Sequence, residues 1–265
     1  MSDNPTPYDA PTSGEIQTFL PSPTVRWGWW DVLFGLGAFL LTLALGIVAI
    51  MVLQLNPDDV DAVGAFSLIS ALVSYAAITA VVVLASRRKG LGTLTADFGL
   101  RFRLIDIVLG LGVGLGAKIF SFVLTATAVS LTNHTPESGN LELSSSPVWI
   151  VLNGFLVAAI VAPFVEELFF RGLVLRAANN RVLRRGGAVG RATLTAIWMS
   201  SLAFAALHLY QSPDVTLLII LGGSTLFLGL VNSRVTLSTG RLGAAIIAHA
   251  FFNGSSVVLA LLLGG

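Results

Sequence analysis

Cysteine is absent from the 265 residues, and charged residues make up only 11% of them. The first absence excludes disulfides, thiolate catalysis and cysteine metal sites. The second lies far below the roughly 25% of charged residues in soluble domains, while hydrophobic residues reach 55%. The net charge of only +1 gives no basic surface of the kind that tracks nucleic acid. We therefore expect an integral membrane protein whose surroundings are a lipid bilayer, with no nucleic-acid partner.

The N-terminal residues 1–26 contain no long apolar run and no early basic region, and they carry five prolines. This composition is typical of a disordered tail and not of a cleavable signal peptide. The first apolar run, about 32–53, is long enough to span a bilayer and follows a tryptophan cluster at 27–30 that is typical of an interface. The sequence predicts a disordered cytoplasmic tail at 1–26 and a single transmembrane domain at 27–265.

Further apolar runs follow the first and predict six more spanning helices. They lie near 62–86, 104–130, 148–176, 191–208, 215–232 and 242–262. The predicted fold class is all-α, a polytopic transmembrane helical bundle of about seven spans, with eight as the alternative count.

Basic residues are concentrated in every second connection between these helices. The 87–103 connection is rich in Lys and Arg, whereas 54–61 has three Asp and no basic residue. The connections after the fourth and sixth helices are predicted to hold Arg176, Arg181 and Arg234. The positive-inside rule then predicts a cytoplasmic N-terminus, and we expect the protein in the plasma, or inner, membrane.

The helix near 104–130 contains two small-xxx-small pairs, Gly110 with Gly114 and Gly112 with Gly116. Such pairs allow a neighbouring backbone to approach closely. Lys118 lies in the middle of the same helix, too deep for easy snorkelling. We expect it to face either an ion-pair partner or a wet cavity that belongs to the site.

Three other polar residues are expected at the surface. Asp31 and Asp106 lie at predicted helix ends, where exposure at the interface is the simplest interpretation. His134 lies in a polar connection between Asn133 and Thr135. We expect all three side chains to be solvated.

The segment 166–171 reads Glu-Glu-Leu-Phe-Phe-Arg inside an otherwise apolar run. A charged side chain at the centre of a spanning helix costs about 2.5–3.5 kcal/mol on insertion scales, so these three need a reason to be there. Glu167 and Arg171 stand four residues apart on one helix face and can pair. Glu166 lies about 100° round the axis with no local partner, which makes it the candidate for chemistry.

Two of the three histidines, His208 and His249, lie within or at the end of apolar helices. Phe204 shares a helix face with His208, and Asn253 shares one with His249. A glutamate can take a proton from water, while His and Asn can donate hydrogen bonds to an oxyanion. The predicted catalytic residues are therefore Glu166, His208, His249 and Asn253, with Phe204 as an aromatic wall beside the imidazole.

A metal is an alternative use of the same atoms. Glu166, His208 and His249 match a three-ligand, open-position site for a divalent metal such as zinc. No His-Glu-x-x-His motif accompanies them. The residues alone leave both uses open.

Three motifs along the chain resemble those of a known family. Glu-Glu-x-x-x-Arg at 166–171, Phe-x-x-x-His at 204–208 and His-x-x-x-Asn at 249–253 are similar to the motifs of the CPBP family. This family comprises CAAX prenyl endopeptidases and bacteriocin-processing intramembrane proteases, also called Abi proteins. The resemblance covers about 148–260, which we expect to be the catalytic core.

The resemblance implies an endopeptidase whose active site lies within the membrane and whose substrate is a membrane-associated protein or peptide. It implies that Glu166 activates the water and His208 assists it. His249 with Asn253 would bind or polarise the scissile carbonyl, and Glu167 with its arginine partner would hold the helix in place.

Two other functions use similar residues. A proton- or ion-coupled transporter would favour repeated halves and matching broken helices, and the sequence has neither. A non-catalytic scaffold or immunity protein would gain nothing from an unpaired buried glutamate.

One conflict concerns the predicted boundaries, which place Glu166 near the cytoplasmic end of its helix and His208 near the outer end of the next. The two can meet only if the first helix is longer and tilted or the second is bent or displaced.

Overall fold

The computed structural model describes residues 25–135, 146–209 and 214–263, and every regular element in these ranges is helical. Residues 1–24, nearly all of the predicted tail, lie outside them. The helices are α1 (Trp29–Leu53), α2 (Val60–Lys89), α3 (Leu94–Phe98), α4 (Leu104–Thr132), α5 (Pro147–Arg184), α6 (Val189–Ala206), α7 (Val215–Thr239) and α8 (Gly243–Leu263).

Six helices in the described ranges are long and apolar enough to cross a membrane, namely α1, α2, α4, α5, α7 and α8. Helix α6 corresponds to the predicted span near 191–208 and is not one of the six. Its 18 residues reach about 27 Å at 1.5 Å per residue, close to the roughly 30 Å of hydrocarbon in a bilayer. The predicted class, an all-helical transmembrane bundle, is confirmed, and about seven spans result when α6 is counted.

Two helices continue beyond their predicted ends. Helix α5 ends at Arg184 and not near 176, and α7 ends at Thr239 and not near 232. Arg176, Arg181 and Arg234 therefore lie within helices, and their predicted place in the connections is wrong. The predicted end of α5 lies where polar residues begin, but the helix continues into the protein, since all six residues from 175 to 180 are buried.

Ion pairs with buried carboxylates hold one end of the bundle, which we call the basic end. The Lys89 ammonium lies 2.7 Å from the Asp31 carboxylate, and the Arg241 guanidinium lies 2.6 Å from Asp106. Asp31 is 6% exposed and Asp106 is 0% exposed. The expectation that these two carboxylates are solvated is wrong, because each has a cation from a distant part of the chain as its partner.

The opposite end, which we call the acidic end, carries the α1–α2 connection and the start of α5. Here the Trp149 indole donates to Asp61 at 2.7 Å. His134 pairs with Asp214, whose carboxylate also caps α7 by accepting from a backbone N–H. The pKa of Asp214 is lowered by that backbone hydrogen bond and then by His134. The expected exposure of His134 is confirmed, since 54% of its side chain is exposed.

Close packing of α4 on α8 uses one of the two predicted glycine pairs. A Cβ at Gly110 would lie 2.6 Å from the Ile247 Cβ, and a Cβ at Gly114 would lie 2.7 Å from the Ala248 carbonyl oxygen. The other two glycines of this helix face open space. The small residues thus bring α4 against the helix that carries His249.

Helix α5 changes its hydrogen-bond register around the two glutamates. The π-helical stretches Ile150–Val161 and Leu168–Val174 flank the α-helical turn Ala162–Glu167. Pro163 lies in this turn and has no N–H to donate. Helical stretches of the π type are rare and are frequent at functional sites. Glu166 lies close to the midpoint of α5, about 27 Å from either end at 1.5 Å per residue.

Candidate active site

Glu167 is the centre of a buried polar network between α5, α7 and α8. Its Oε1 accepts from Arg171 Nη1 at 3.0 Å, Asn232 Nδ2 at 3.1 Å and His249 Nδ1 at 3.0 Å. Glu167 and Arg171 are 0% exposed. The predicted pair on one helix face is therefore present. A buried charge is tolerated when it is paired and hydrogen-bonded, and this network accounts for two of the three charges in the motif.

His249 connects Glu167 to Glu166. Because a carboxylate oxygen only accepts, the Nδ1 that contacts Glu167 carries the hydrogen. The other ring nitrogen, Nε2, lies 3.9 Å from Glu166 Oε2. Glu167 thus orients the imidazole so that its second nitrogen faces the neighbouring carboxylate.

Glu166 faces a cavity and not the packed network. Its Oε1 accepts a hydrogen bond from the Tyr75 hydroxyl of α2 at 3.0 Å, and 16% of its side chain is exposed. The cavity has a volume of about 80 Å³, and its walls include Tyr75, Glu166, Phe170 and His208. This volume admits several waters, since one needs about 10–15 Å³.

His208 presents one nitrogen to its own helix. Its Nδ1 lies 2.8 Å from the Phe204 carbonyl oxygen, which can only accept. Nδ1 therefore carries a hydrogen, and Nε2 of the neutral ring has a free lone pair. The Phe204 ring contacts both imidazoles edge-on, with centroid distances of 4.6 Å to His208 and 5.4 Å to His249. Arg171 lies over the other side of this aromatic group, 4.4 Å from the Phe204 centroid.

The depth conflict between Glu166 and His208 is resolved by the length of α5. Since α5 continues to Arg184, Glu166 lies about 27 Å from the basic end. Helix α6 returns from that end and reaches about the same height where it stops at Ala206. His208 follows directly, and both side chains line one cavity.

Asn253 lies against the π-helical part of α5 and is not among the residues that line the cavity. Its Nδ2 donates to the Ala158 carbonyl at 2.8 Å. In this stretch hydrogen bonds connect residues five apart, as the Ala162 N–H bonds the Val157 carbonyl. In the same register Ala158 would accept from Pro163, which has no N–H. Asn253 therefore satisfies a carbonyl that the proline leaves without a partner, and its predicted role at the scissile carbonyl stays a prediction.

The predicted metal ligands do not form a metal site in this structure. Within the described ranges, no group of three or more His, Cys, Asp or Glu side chains is arranged to hold a metal ion. His249 Nδ1 bonds Glu167 and His208 Nδ1 bonds a backbone carbonyl, which leaves one nitrogen on each ring. One remaining nitrogen on each ring is what a metal ligand needs, so metal binding by Glu166, His208 and His249 stays a prediction.

Lys118 contacts neutral groups of α8. Its ammonium donates to the Ser256 hydroxyl and lies 4.1 Å from the centroid of the Phe252 ring. Among the residues that the structure describes, no carboxylate lies within ion-pair distance of it. The expected ion pair is therefore wrong, and cation–π attraction takes its place.

Two residues of the site were not predicted. Tyr75 comes from α2, far from the motifs in sequence, and no periodicity signals its contact with Glu166. Asn232 lies within α7, and a polar residue in an apolar helix is itself a signal of a buried partner. That signal could have identified Asn232, but it could not have named Glu167 as the partner.

Comparison with known families covers the part of the chain that carries the three motifs. Residues 147–255 match the family model described as type II CAAX prenyl endopeptidase Rce1-like. The chain matches no curated protein and no solved structure. The matched region includes Glu166, His208, His249 and Asn253, and it leaves out α1 to α4.

Proposed function

We propose that this chain, whose residues 147–255 match the Rce1-like model of type II CAAX prenyl endopeptidases, is an intramembrane endopeptidase in which Glu166 activates water. The observation that carries the proposal is the position of Glu166. Its carboxylate opens onto a small cavity at the middle of a spanning helix, and His208 lines the same cavity. Nε2 of His249 lies 3.9 Å from this carboxylate. The family supports a CAAX-type intramembrane protease in general, and the roles of individual residues are the finer proposal.

The first step is attack by water on the scissile carbonyl. A water in the cavity donates one hydrogen bond to Glu166 and one to the lone pair on Nε2 of neutral His208. Glu166 takes the proton as the water oxygen bonds to the carbonyl carbon. The Tyr75 hydroxyl holds Oε1 of the carboxylate in position, and Oε2 is the oxygen nearer to His249.

The second step is collapse of the tetrahedral intermediate. Glu166 returns the proton to the amide nitrogen and the C–N bond breaks. The products are an amine and a carboxylic acid, which gives up its remaining proton to water. His249 stabilises the oxyanion through Nε2–H when its ring is doubly protonated, with Glu167 as the counter-ion on Nδ1. Asn253 can contribute only through its second N–H, because the first is donated to Ala158.

The substrate class follows from the place of the site. A cavity at the middle of α5 is reached from the bilayer or along the protein interior, so the substrate is a membrane-associated protein or peptide. A prenyl group on the substrate is not required by any group described in the cavity. We place the protein in the plasma membrane with a cytoplasmic N-terminus, in accord with the distribution of basic residues.

The test compares cleavage by the parental protein and by Glu166→Gln in membranes of cells that express each. New protein N-termini are labelled and identified by mass spectrometry. Because a general base contributes about 10²- to 10⁴-fold to the rate, the signal of the dependent N-termini should fall by at least 10²-fold. Asp58→Asn, the same change at an exposed carboxylate outside the site, is the matched control and should keep them.

Expression and melting temperature of Glu166→Gln should equal those of the parent, since the amide oxygen can still accept from Tyr75. A set of N-termini that is unchanged in Glu166→Gln would exclude this residue as the base. It would leave the transporter and the non-catalytic scaffold as the remaining functions.

A further inference from the structure

A second, larger cavity lies next to the catalytic one. It is a groove of about 690 Å³ between α1 and α2, closed at the back by Asn153 and Val157 of α5. We call it the α1–α2 groove. Phe39 and Tyr75 line both the groove and the catalytic cavity. The groove runs from these two residues to Leu55 and Pro57 at the acidic end.

The groove exists because α1 is packed at only one end. The buried residues of this helix, Asp31, Val32 and Gly35, all lie in its first two turns. Gly35 brings the backbone against Phe169 of α5, since a Cβ there would lie 2.3 Å from the Phe169 ring. Beyond Phe39 the helix has no buried residue, and space is left between it and α2.

The lining of the groove suits a peptide more than a lipid chain. None of its residues is charged, so it favours an apolar occupant. One wall nevertheless carries a line of hydroxyls, those of Ser67, Ser70 and Ser74 on α2, and the Asn153 amide lies at the back. Ser74 and Asn153 each donate one hydrogen bond within the protein, to the Ser70 and Gly64 carbonyls. Their oxygens can still accept from the backbone N–H groups of a peptide, which must be satisfied within a membrane. A hydrocarbon chain has no such need.

The length of the groove fits an extended segment. Along α2 it reaches from Val63 to Tyr75, which is about 18 Å at 1.5 Å per residue. An extended peptide covers this distance with about five residues at 3.3 Å each. An extended backbone also exposes its carbonyls, whereas a helix keeps them in its own hydrogen bonds.

We propose that the α1–α2 groove binds an extended, uncharged stretch of about five residues of the substrate, on one side of the scissile bond. The peptide enters from the acidic end and reaches Glu166 past Tyr75. This inference rests on the proposed endopeptidase activity and adds the route and the side-chain preference of the substrate.

The test fills the groove without disturbing the fold. Gly46 lines the groove, and a Cβ at this position meets nothing within 4 Å. Gly37 lies on the same helix, also meets nothing within 4 Å, and lines neither cavity. Gly46→Trp and Gly37→Trp are thus a matched pair. Labelled new N-termini are measured in membranes that hold each variant, the parent or Glu166→Gln.

Gly46→Trp should lower the amount of Glu166-dependent new N-termini by about tenfold or more. A substrate displaced from the groove no longer holds its scissile carbonyl in position for attack by water. Gly37→Trp should leave them at the parental level. The cleaved sites should share about five uncharged residues on one side of the broken bond, the number that fills the groove.

If Gly46→Trp cleaves at the parental level while Glu166→Gln is inactive, the proposed binding of substrate in the α1–α2 groove is wrong. The proposed endopeptidase activity then still stands. Equal losses in Gly46→Trp and Gly37→Trp would also overturn it, as would Asp, Glu, Lys or Arg at the adjacent positions of most cleaved sites. Retained cleavage in Glu166→Gln would instead overturn the proposed function itself.

Discussion

Glu166 and Glu167 are neighbours in sequence and occupy opposite kinds of environment. Glu167 is 0% exposed and accepts three hydrogen bonds from three helices. Glu166 has one described donor, Tyr75, and opens onto a cavity that holds water-sized space. One step of about 100° round the helix separates a packed face from a cavity face.

The contrast between the two glutamates shows how a membrane protein keeps a reactive carboxylate. The packed face fixes the helix and the His249 ring, so that the cavity face needs few contacts of its own. The Glu167 carboxylate has no exposed surface and is therefore closed to water, whereas 16% of the Glu166 side chain is exposed. Arg171→Ala breaks the packed face, Asn253→Ala breaks a link from α5 to α8, and Tyr75→Phe removes the described donor on the cavity face.

Arg171→Ala should have the largest effect on stability. It leaves the Glu167 carboxylate in a fully buried place without its cation, a change that costs about 3–5 kcal/mol. Unfolding of the purified protein in detergent, followed by heat and by denaturant, measures the loss. Glu166→Gln should change the same quantity far less, because it removes no buried ion pair.

Arg87→Ala is the matched control for Arg171→Ala, since Arg87 is an exposed arginine at the basic end of α2. Its unfolding should equal that of the parent. Identical melting of Arg171→Ala and Glu166→Gln would remove the distinction between a packed and a cavity face.

Asn253→Ala should have a smaller effect, about 1–3 kcal/mol, which is the cost of a buried acceptor without a donor. The acceptor is the Ala158 carbonyl that Pro163 cannot serve. Pro163→Ala restores a backbone N–H in the same register. Asn253→Ala should therefore lower the free energy of unfolding less in the Pro163→Ala background than in the parental protein. A double-mutant cycle measures this coupling.

Strict additivity of the two changes would show that Asn253 does not act as the substitute donor for the proline. Its predicted role at the scissile carbonyl would then be the better account of why the residue is there.

The sequence predicts contacts within one helix well. The Glu167–Arg171 pair and the Phe204–His208 contact both follow from a spacing of four residues, and both are present. The apolar runs also place each spanning helix near its observed position. These features depend on local periodicity, which the chain alone contains.

Contacts between helices could be predicted only in part. Nothing local to Asp106 indicates that Arg241 is its partner, so its burial was missed. The end of α5 was missed because polar residues begin at 176, although Arg176, Asn179 and Asn180 are buried in the helix. This error in length produced the apparent depth conflict between Glu166 and His208. The position of His249 between Glu166 and Glu167 likewise could not be predicted from the sequence, because both carboxylates come from another helix.

Tyr75→Phe should have the smallest of these effects. Tyr75 belongs to α2, outside the matched region, and its hydroxyl positions Glu166 at 3.0 Å. Loss of this one donor should lower kcat by about tenfold, or about 1.4 kcal/mol, and leave KM nearly unchanged. The ring stays, so the wall between groove and cavity is preserved. Steady-state cleavage of a peptide found by the Glu166→Gln comparison gives both constants.

Thr79→Val is the control for Tyr75→Phe, because the Thr79 hydroxyl lies one turn away and donates only within α2, to the Tyr75 carbonyl. It removes a hydroxyl from the same helix without touching Glu166, and both constants should stay parental. A raised KM with unchanged kcat in Tyr75→Phe would assign the hydroxyl to the incoming peptide. Glu166 would then be positioned by the packed face alone, through His249, and α2 would serve only as a wall of the groove.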